Sequence, residues 1–218
     1  MLRQSPFIDD NTVLGLKLFQ YWRINPTFHF YLPLRGDNQS LAFRINTGIA
    51  KPFGDSETLP YEKFFFAGGG SSIRAWQPRR LGPGAFTPPV NEDGTFDYRF
   101  ERPGEIILEG NIEYRFPMVS FIRGAVFLDV GNVWTIDENP QQPGGQFHWD
   151  QFWQQLAIGT GFGFRFNLPF LLFRLDFGLK VYDPARRSDR RWVIRQFNPF
   201  NPFAQDLMLV NIGIGYPF

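Results

Sequence analysis

Two glycine-rich segments are the first places where this sequence could do chemistry. Residues 68–72 read Gly-Gly-Gly-Ser-Ser, the composition of a loop that holds phosphate through backbone amides. The Lys-Ser or Lys-Thr pair that completes such a loop does not follow, and no helix is predicted after it. The alternate glycines Gly159, Gly161 and Gly163 lie inside a predicted strand and do not form a dinucleotide fingerprint. Neither segment predicts a phosphate or nucleotide site.

Nucleophiles and metal ligands are equally scarce. The 218 residues contain no cysteine and two histidines, which excludes thiolate chemistry and argues against a multi-histidine metal site. The net charge of +1 excludes a strongly basic nucleic-acid-binding protein. No Gly-x-Ser-x-Gly nucleophile motif occurs. We therefore predict no catalytic residue, no cofactor, no metal and no nucleic-acid partner for this chain.

The residues alternate between apolar and polar with a period of two, which predicts strands rather than helices. We count seven such segments: 21–34, 41–49, 105–116, 122–134, 155–166, 171–181 and 208–218. Each has about the 9–11 residues with which a tilted strand crosses a bilayer. Twelve charged side chains lie on one face of these strands and none on the other. A lipid-facing arginine costs about 2–4 kcal/mol at the membrane midplane, which explains a face free of charge.

The connections between the strands alternate in length. Three are short (35–40, 117–121, 167–170) and three are long (51–104, 135–154, 182–206). Tight turns at one end and long loops at the other are typical of an outer-membrane barrel. The fold class predicted is therefore an all-β, transmembrane antiparallel β-barrel. The alternatives are a soluble, lectin-like sandwich with one face inward, and a passive porin.

Several motifs resemble one known family. Segments 64–69, 73–76 and 81–83 (Phe-Phe-Phe-Ala-Gly-Gly, Ile-Arg-Ala-Trp and Leu-Gly-Pro) resemble the sixth extracellular loop of the BamA/TamA outer-membrane assembly and translocation family, the bacterial surface antigen family. Its superfamily also includes two-partner secretion transporters. The resemblance covers about residues 15–218. The sequence of the loop looks most like that of Bacteroidetes TamA-like proteins.

Two further signatures follow in the family's order. Phe127, Asp129 and Gly131 match its Phe-x-Asp-x-Gly strand motif. The chain ends with Ile214, Tyr216 and Phe218 on the apolar face of the last predicted strand, which resembles the C-terminal signal read by the outer-membrane insertion machinery.

The resemblance implies that the long loop folds back into the barrel lumen, where Arg74 would meet Glu113 and Asp129 and Trp76 would be an aromatic anchor. A guanidinium is a planar fork of donors, and two carboxylates on adjacent strands can hold it. Without the resemblance, spacing alone favours a solvated Arg74, with Asp129 as one of many charges that face the lumen. Ala75 departs from the family pattern, which has glycine there; alanine permits close approach but not positive φ, so we expect a differently bent tip.

Seven strands do not close a barrel, and the resemblance implies sixteen. We therefore expect residues 1–20 to be the remnant of an extracellular loop and residues 21–218 to be the C-terminal part of the barrel, with 51–104 as a long inserted loop. The remaining strands, a signal peptide and periplasmic POTRA domains would belong to the missing N-terminal part.

The function implied is non-enzymatic help in inserting, assembling or translocating envelope proteins at the outer membrane of a Gram-negative cell. The partners would be outer-membrane lipid and lipopolysaccharide, client envelope proteins and the insertion machinery. Two other functions stay open: the barrel domain of a patatin-like lipase fusion, and a two-partner secretion transporter.

Overall fold

The computed structural model describes residues 8–9, 12–13, 16–34, 39–92, 95–203 and 206–218. The remaining residues come from four predicted loops, 1–20, 35–40, 51–104 and 182–206, and those parts of the predictions lie outside the described residues. In the described part of the chain, no helix is long and apolar enough to cross a membrane.

Antiparallel strands account for the architecture. In chain order they are β1 (Ile8–Asp9), β2 (Thr12–Val13), β3 (Leu16–Lys17), β4 (Tyr21–Ile24), β5 (Thr27–Pro33), β6 (Ser40–Pro52), β7 (Ile106–Val119), β8 (Ile122–Trp134), β9 (Ala157–Leu168), β10 (Leu171–Tyr182) and β11 (Met208–Ile214). Short 3-10 helices span Tyr61–Lys63, Phe152–Gln155, Ser188–Arg190 and Val193–Gln196.

The strands form two sheets. β1, β2 and β3 make a small sheet in that order. The main sheet has the order β11-β10-β9-β8-β7-β6-β4, and β5 also pairs with β6. Successive strands are neighbours, and the alternation of short and long connections is as predicted. The all-β antiparallel fold is confirmed; the sheet is open between β11 and β4/β5, and the count of sixteen strands stays a prediction.

The first predicted strand is divided in two, so the main sheet has eight strands where the alternation predicted seven. β4 ends at Ile24 and β5 begins at Thr27. Between them, Pro26 has no N–H to donate to a ladder. The side-chain amide of Asn25 donates instead to the Thr47 carbonyl of β6 at 2.7 Å. Pro26 was a sequence signal for this break, but the prediction followed the alternation and treated 21–34 as one strand.

The charged face of the main sheet is buried and the apolar face is exposed. On β7, Glu109 and Glu113 are buried, whereas Ile112 between them on the opposite face is 41% exposed. On β11, Ile212 is 70% exposed. A soluble sandwich would bury its apolar face. The inverted arrangement is that of a barrel wall with charges towards the lumen and apolar side chains towards hydrocarbon.

The long loop, residues 53–105, packs against the charged, inner face. Isolated bridges join Phe65 to Gly104 and Ala67 to Leu81 and hold the loop together. Its apolar residues form one buried cluster with inner-face residues of four strands: Ala50, Leu59, Phe65, Ala67, Ile73, Ala75, Trp76, Leu81, Ile107, Val133 and Ala157. The hydrophobic core therefore lies between the loop and the wall.

Candidate functional site

The tip of the long loop is a tight turn that presents one arginine to the wall. Gly68 and Gly69 have φ of +100° and +99°, the left-handed region that glycine adopts without strain. The Gly69 N–H donates to the Trp76 carbonyl at 2.8 Å, and the Trp76 N–H donates to the Ile73 carbonyl at 3.1 Å. These bonds close the turn, with Arg74 at its apex.

Arg74 is held by two carboxylates on adjacent strands. Its Nε and Nη2 donate to Oδ2 and Oδ1 of Asp129 on β8 at 2.9 and 2.8 Å, a bidentate pair. Its main-chain N–H donates to the same Oδ2 at 3.0 Å. Nη1 donates to Glu113 Oε2 on β7. We call Arg74, Glu113 and Asp129 the lock; every nitrogen of the guanidinium is used.

The surroundings complete the lock. The Arg74 guanidinium carbon lies 3.5 Å from the centroid of the Phe127 ring, a cation–π contact. Asn111 donates to Asp129 Oδ1 at 2.8 Å. Glu113 also accepts from Arg115 at 2.8 Å and from Arg165 at 3.0 Å. Both carboxylates therefore have more than one donor.

Burial makes these charges costly unless each is paired. All three side chains of the lock are at most 1% exposed. Burial by itself lowers the pKa of Arg74, but Asp129 and Glu113 more than offset it, and the pKa lies above its ordinary value. Removing one partner from such a cluster is strongly destabilising, because the other charge stays buried and unpaired.

Most of the chain matches one protein family. The model described as "Omp85 superfamily domain" matches residues 7–198. The chain belongs to the Omp85 superfamily. The resemblance to the BamA/TamA family is confirmed, and the eight-stranded sheet is a barrel region of that superfamily. The finer likeness to Bacteroidetes proteins stays a prediction.

A solved structure supports the same fold for this Omp85 chain. The crystal structure of BamA from Haemophilus ducreyi lacking POTRA domains 1-3 is similar, with a TM-score of 0.56 and 18% sequence identity. The match covers 93% of this chain and 37% of that one. The chain thus spans little more than a third of the length of the solved protein.

Trp76 does not contact the carboxylates of the lock. It is buried in the apolar cluster with Ile73 and Leu81, and its ring centroid is 5.3 Å from Lys180 Nζ of β10. Lys180 in turn donates to the Tyr98 hydroxyl at 2.9 Å and to Asp206. Burial raises the pKa of Tyr98 to about 12, so its phenol stays protonated and donates to Asp206. The contacts of Lys180 with Trp76 and Tyr98 are a second set of interactions that joins the long loop to the sheet.

Glycines in the wall leave room for the loop backbone. A Cβ on Gly178 of β10 would lie 2.5 Å from the Arg74 carbonyl oxygen and 2.8 Å from the Ala75 nitrogen. A Cβ on Gly159 of β9 would lie 2.9 Å from the Ala75 Cβ. Sequence reasoning did not assign these glycines to the site. Glycine inside a strand often marks a close backbone approach, which was the available signal.

The strand motif of this Omp85 chain has three separate tasks. Phe127 lies under the guanidinium, and Asp129 binds it. Gly131 faces the neighbouring strand, where a Cβ would lie 2.6 Å from the Leu108 carbonyl oxygen and 2.9 Å from the Glu109 Cα. Ala75, where the family has glycine, does not adopt positive φ and is buried.

The end of the chain departs from the predicted alternation. Ile214 is the last residue of β11 and stays on the apolar face, but Gly215 has φ of +78° and turns the backbone. The Tyr216 ring centroid is then 4.1 Å from the Arg115 guanidinium, and the Phe218 ring is 5.9 Å from it. The prediction that Tyr216 and Phe218 continue the apolar face is therefore wrong: both rings meet an inner-face arginine.

Asn211 joins the edge strand β11 to the lock, and sequence reasoning missed it. Its side-chain amide donates to the Arg74 carbonyl at 2.8 Å. We expect Asn211→Ala to cost about 0.5–1.5 kcal/mol, the net value of one hydrogen bond. Urea unfolding of the full-length protein in detergent would measure it, with Asn201→Ala in an exposed loop as control. Equal midpoints for the two variants would contradict the contact.

Proposed function

We propose that the intact protein is a non-enzymatic outer-membrane barrel that helps insert, assemble or translocate envelope proteins. Membership of the Omp85 superfamily supports the class. The observation that carries the proposal is the lock. Arg74, Glu113 and Asp129 hold the long loop against the inner face of the sheet. An ordered loop in the lumen argues against a passive porin, whose lumen is an open aqueous channel.

The proposal includes a seam at β11. This strand has seven residues, against twelve in its partner β10, and it pairs with β10 alone among the described strands. It ends at the Gly215 turn, and Pro217 provides no donor beyond it. A short strand with an early end makes few ladder hydrogen bonds, so a neighbouring strand can separate from it at low cost. An incoming client strand would pair there.

The partners and the wider organisation belong to the same proposal. The exposed apolar face fits lipid hydrocarbon, and lipopolysaccharide would lie around the outer ends of the strands. We propose that residues 21–218 form the C-terminal part of the barrel, with further strands and periplasmic POTRA domains elsewhere in the protein, and that residues 1–20 come from an extracellular loop. The match to 37% of the BamA chain supports this division.

Depletion in the source organism tests the function. The chromosomal gene is placed under a repressible promoter, and the full-length gene is returned as wild type or as Asp129→Asn. We expect depletion to lower the amount of folded outer-membrane barrels, with wild type restoring it and the variant restoring it weakly. Normal barrel levels, together with a loss of fatty-acid release or of one secreted protein, would favour the lipase fusion or the two-partner transporter instead.

The terminal aromatic residue gives a separate prediction. We expect deletion of Phe218 to lower outer-membrane insertion of the full-length protein several-fold, because Ile214, Tyr216 and Phe218 form the proposed insertion signal. The measurement is the fraction of protein in purified outer membranes that shows the compact, heat-modifiable band. Ile194→Ala, in a connection between strands, is the control. Unchanged insertion would contradict the signal.

A further inference from the structure

A pocket lies in the long connections, away from the lock. Its volume is about 230 Å³. It is lined by Phe86, Pro89, Asp97, Phe100, Glu101 and Arg102 of the long loop and by Gln141 and Gln142 of the connection between β8 and β9. Ligand pockets for drug-sized molecules occupy about 300–1,000 Å³. This pocket therefore has room for a single small ring.

Arg102 is a buried cation in this pocket without a carboxylate partner. Arg102 is only 5% exposed. Nη1 donates to the Gly82 carbonyl at 3.4 Å and Nη2 to the Asp97 carbonyl at 3.2 Å, both long bonds to neutral acceptors. Among the described residues, no carboxylate oxygen lies within 4.0 Å of its guanidinium. A buried charge is normally paired, so this guanidinium has unused binding capacity.

The acidic residues of the pocket are already neutralised. Asp97 accepts three hydrogen bonds from the Arg99 guanidinium, the shortest at 2.7 Å. Glu101 accepts from Arg79 at 3.2 Å and lies 3.8 Å from Arg80.

Within the lining, Asp97 and Glu101 thus lie beside the single arginine Arg102, and the arginines that offset the two carboxylates lie outside it. Asp183, a third acidic residue near Arg102, is paired with Arg186 at 3.7 Å. Arg102 is therefore left without a charged partner among the described residues, and this favours an anion.

The remaining walls are suited to a ring with one apolar face. Phe100 is 74% exposed, and Phe86 and Pro89 extend the apolar wall. The side-chain amides of Gln141 and Gln142 can both donate and accept. A pyranose has C–H groups that pack on an aromatic ring and hydroxyls that bind amides. A carboxylate on that ring would make a forked pair with Arg102.

We propose that this pocket binds an acidic sugar, a pyranose that carries a carboxylate. The carboxylate contacts Arg102, the ring packs on Phe100, and the hydroxyls bind the two glutamine amides. The same chemistry is present in a free sugar acid and in an acidic residue of a surface polysaccharide. The long connections lie at one end of the sheet, where either ligand can reach the pocket.

Calorimetry on the full-length protein in detergent tests the proposal with three probes: glucuronate, glucose and a hyaluronan tetrasaccharide. We expect glucuronate to bind at least tenfold more tightly than glucose. Binding of glucuronate alone would identify a free sugar acid as the ligand, whereas tighter binding of the tetrasaccharide would identify a polysaccharide. No saturable binding of either acid, or equal affinity for glucuronate and glucose, would overturn the proposal.

Variants connect the binding to this pocket. Phe100→Ala removes an exposed ring and should lower the affinity for the acidic sugar at least fivefold, while Phe200→Ala, an exposed phenylalanine outside the pocket, should leave it unchanged. Arg102→Gln should abolish the preference for glucuronate over glucose. If this buried replacement prevents folding, Phe100→Ala still decides: unchanged affinity in that variant would place the binding elsewhere and overturn the assignment.

Discussion

Arg74→Ala is expected to release the long loop from the wall and to destabilise the folded barrel by about 3–5 kcal/mol, the cost of breaking a buried ion pair. Asp129 loses its only guanidinium among the described residues and keeps the Asn111 amide. Glu113 keeps Arg115 and Arg165, so Asp129 carries most of the loss. Urea unfolding of the full-length protein, followed on cold gels by the heat-modifiable band, measures the effect.

Two further replacements separate the lock from general damage. Arg74→Lys keeps the charge but not the planar fork, so we expect an intermediate loss. Arg79→Ala removes a half-exposed arginine from the same loop, whose 3.2 Å pair with Glu101 is worth at most about 1 kcal/mol. If Arg74→Ala and Arg79→Ala unfold at the same urea concentration, the lock does not stabilise the barrel.

Gly178→Val should displace the same loop without changing any charge. The new Cβ would lie 2.5 Å from the Arg74 carbonyl oxygen, and the atom in the way is backbone, which cannot rotate aside. Overpacking of this kind costs about 1–3 kcal/mol or more. Because Arg74 is buried in the lock, trypsin should cleave after it slowly in the wild type. We expect rapid cleavage there in the variant.

Gly110→Val is the matched control. Gly110 lies in the middle of β7, on the apolar, outer face of the sheet. A Cβ there meets nothing within 4 Å. Valine at this position faces lipid and should leave cleavage after Arg74 unchanged. Rapid cleavage in both variants would show that valine in the sheet is harmful in itself, and slow cleavage in both would contradict the close approach at Gly178.

The fold was predictable because each strand has two chemically different faces. Alternation in 105–116 alone places Glu109 and Glu113 on one side and Ile112 on the other, and the structure buries the first two and exposes the third. The two errors both come from local backbone chemistry that alternation does not register. Pro26 lacks a donor and divides the first strand, and Gly215 adopts positive φ and turns Phe218 inward.

The site was predictable only in part. Charge alternation placed Glu113 and Asp129 on the inner face, but the position of Arg74 depends on how a long loop folds, and spacing does not determine that. The family resemblance supplied the pairing. The partner of Asn211 could not be foreseen, because the contact joins residues more than a hundred positions apart along the chain. The position of Gly178 inside a strand indicates a close backbone approach but not which residues make it.

A single disulfide tests most directly whether the loop lies on the inner wall. Residues 1–218 contain no cysteine, so Ala75→Cys with Gly159→Cys introduces two thiols into a part of the protein that has none. The two Cβ positions are 2.9 Å apart, close to the 3.5–4.5 Å of a disulfide after a small shift. We predict that the pair links spontaneously in isolated outer membranes and that Thr87→Cys with Gly159→Cys does not. Two free thiols in the first pair, both labelled by a soluble maleimide, would contradict a loop that is locked inside the barrel.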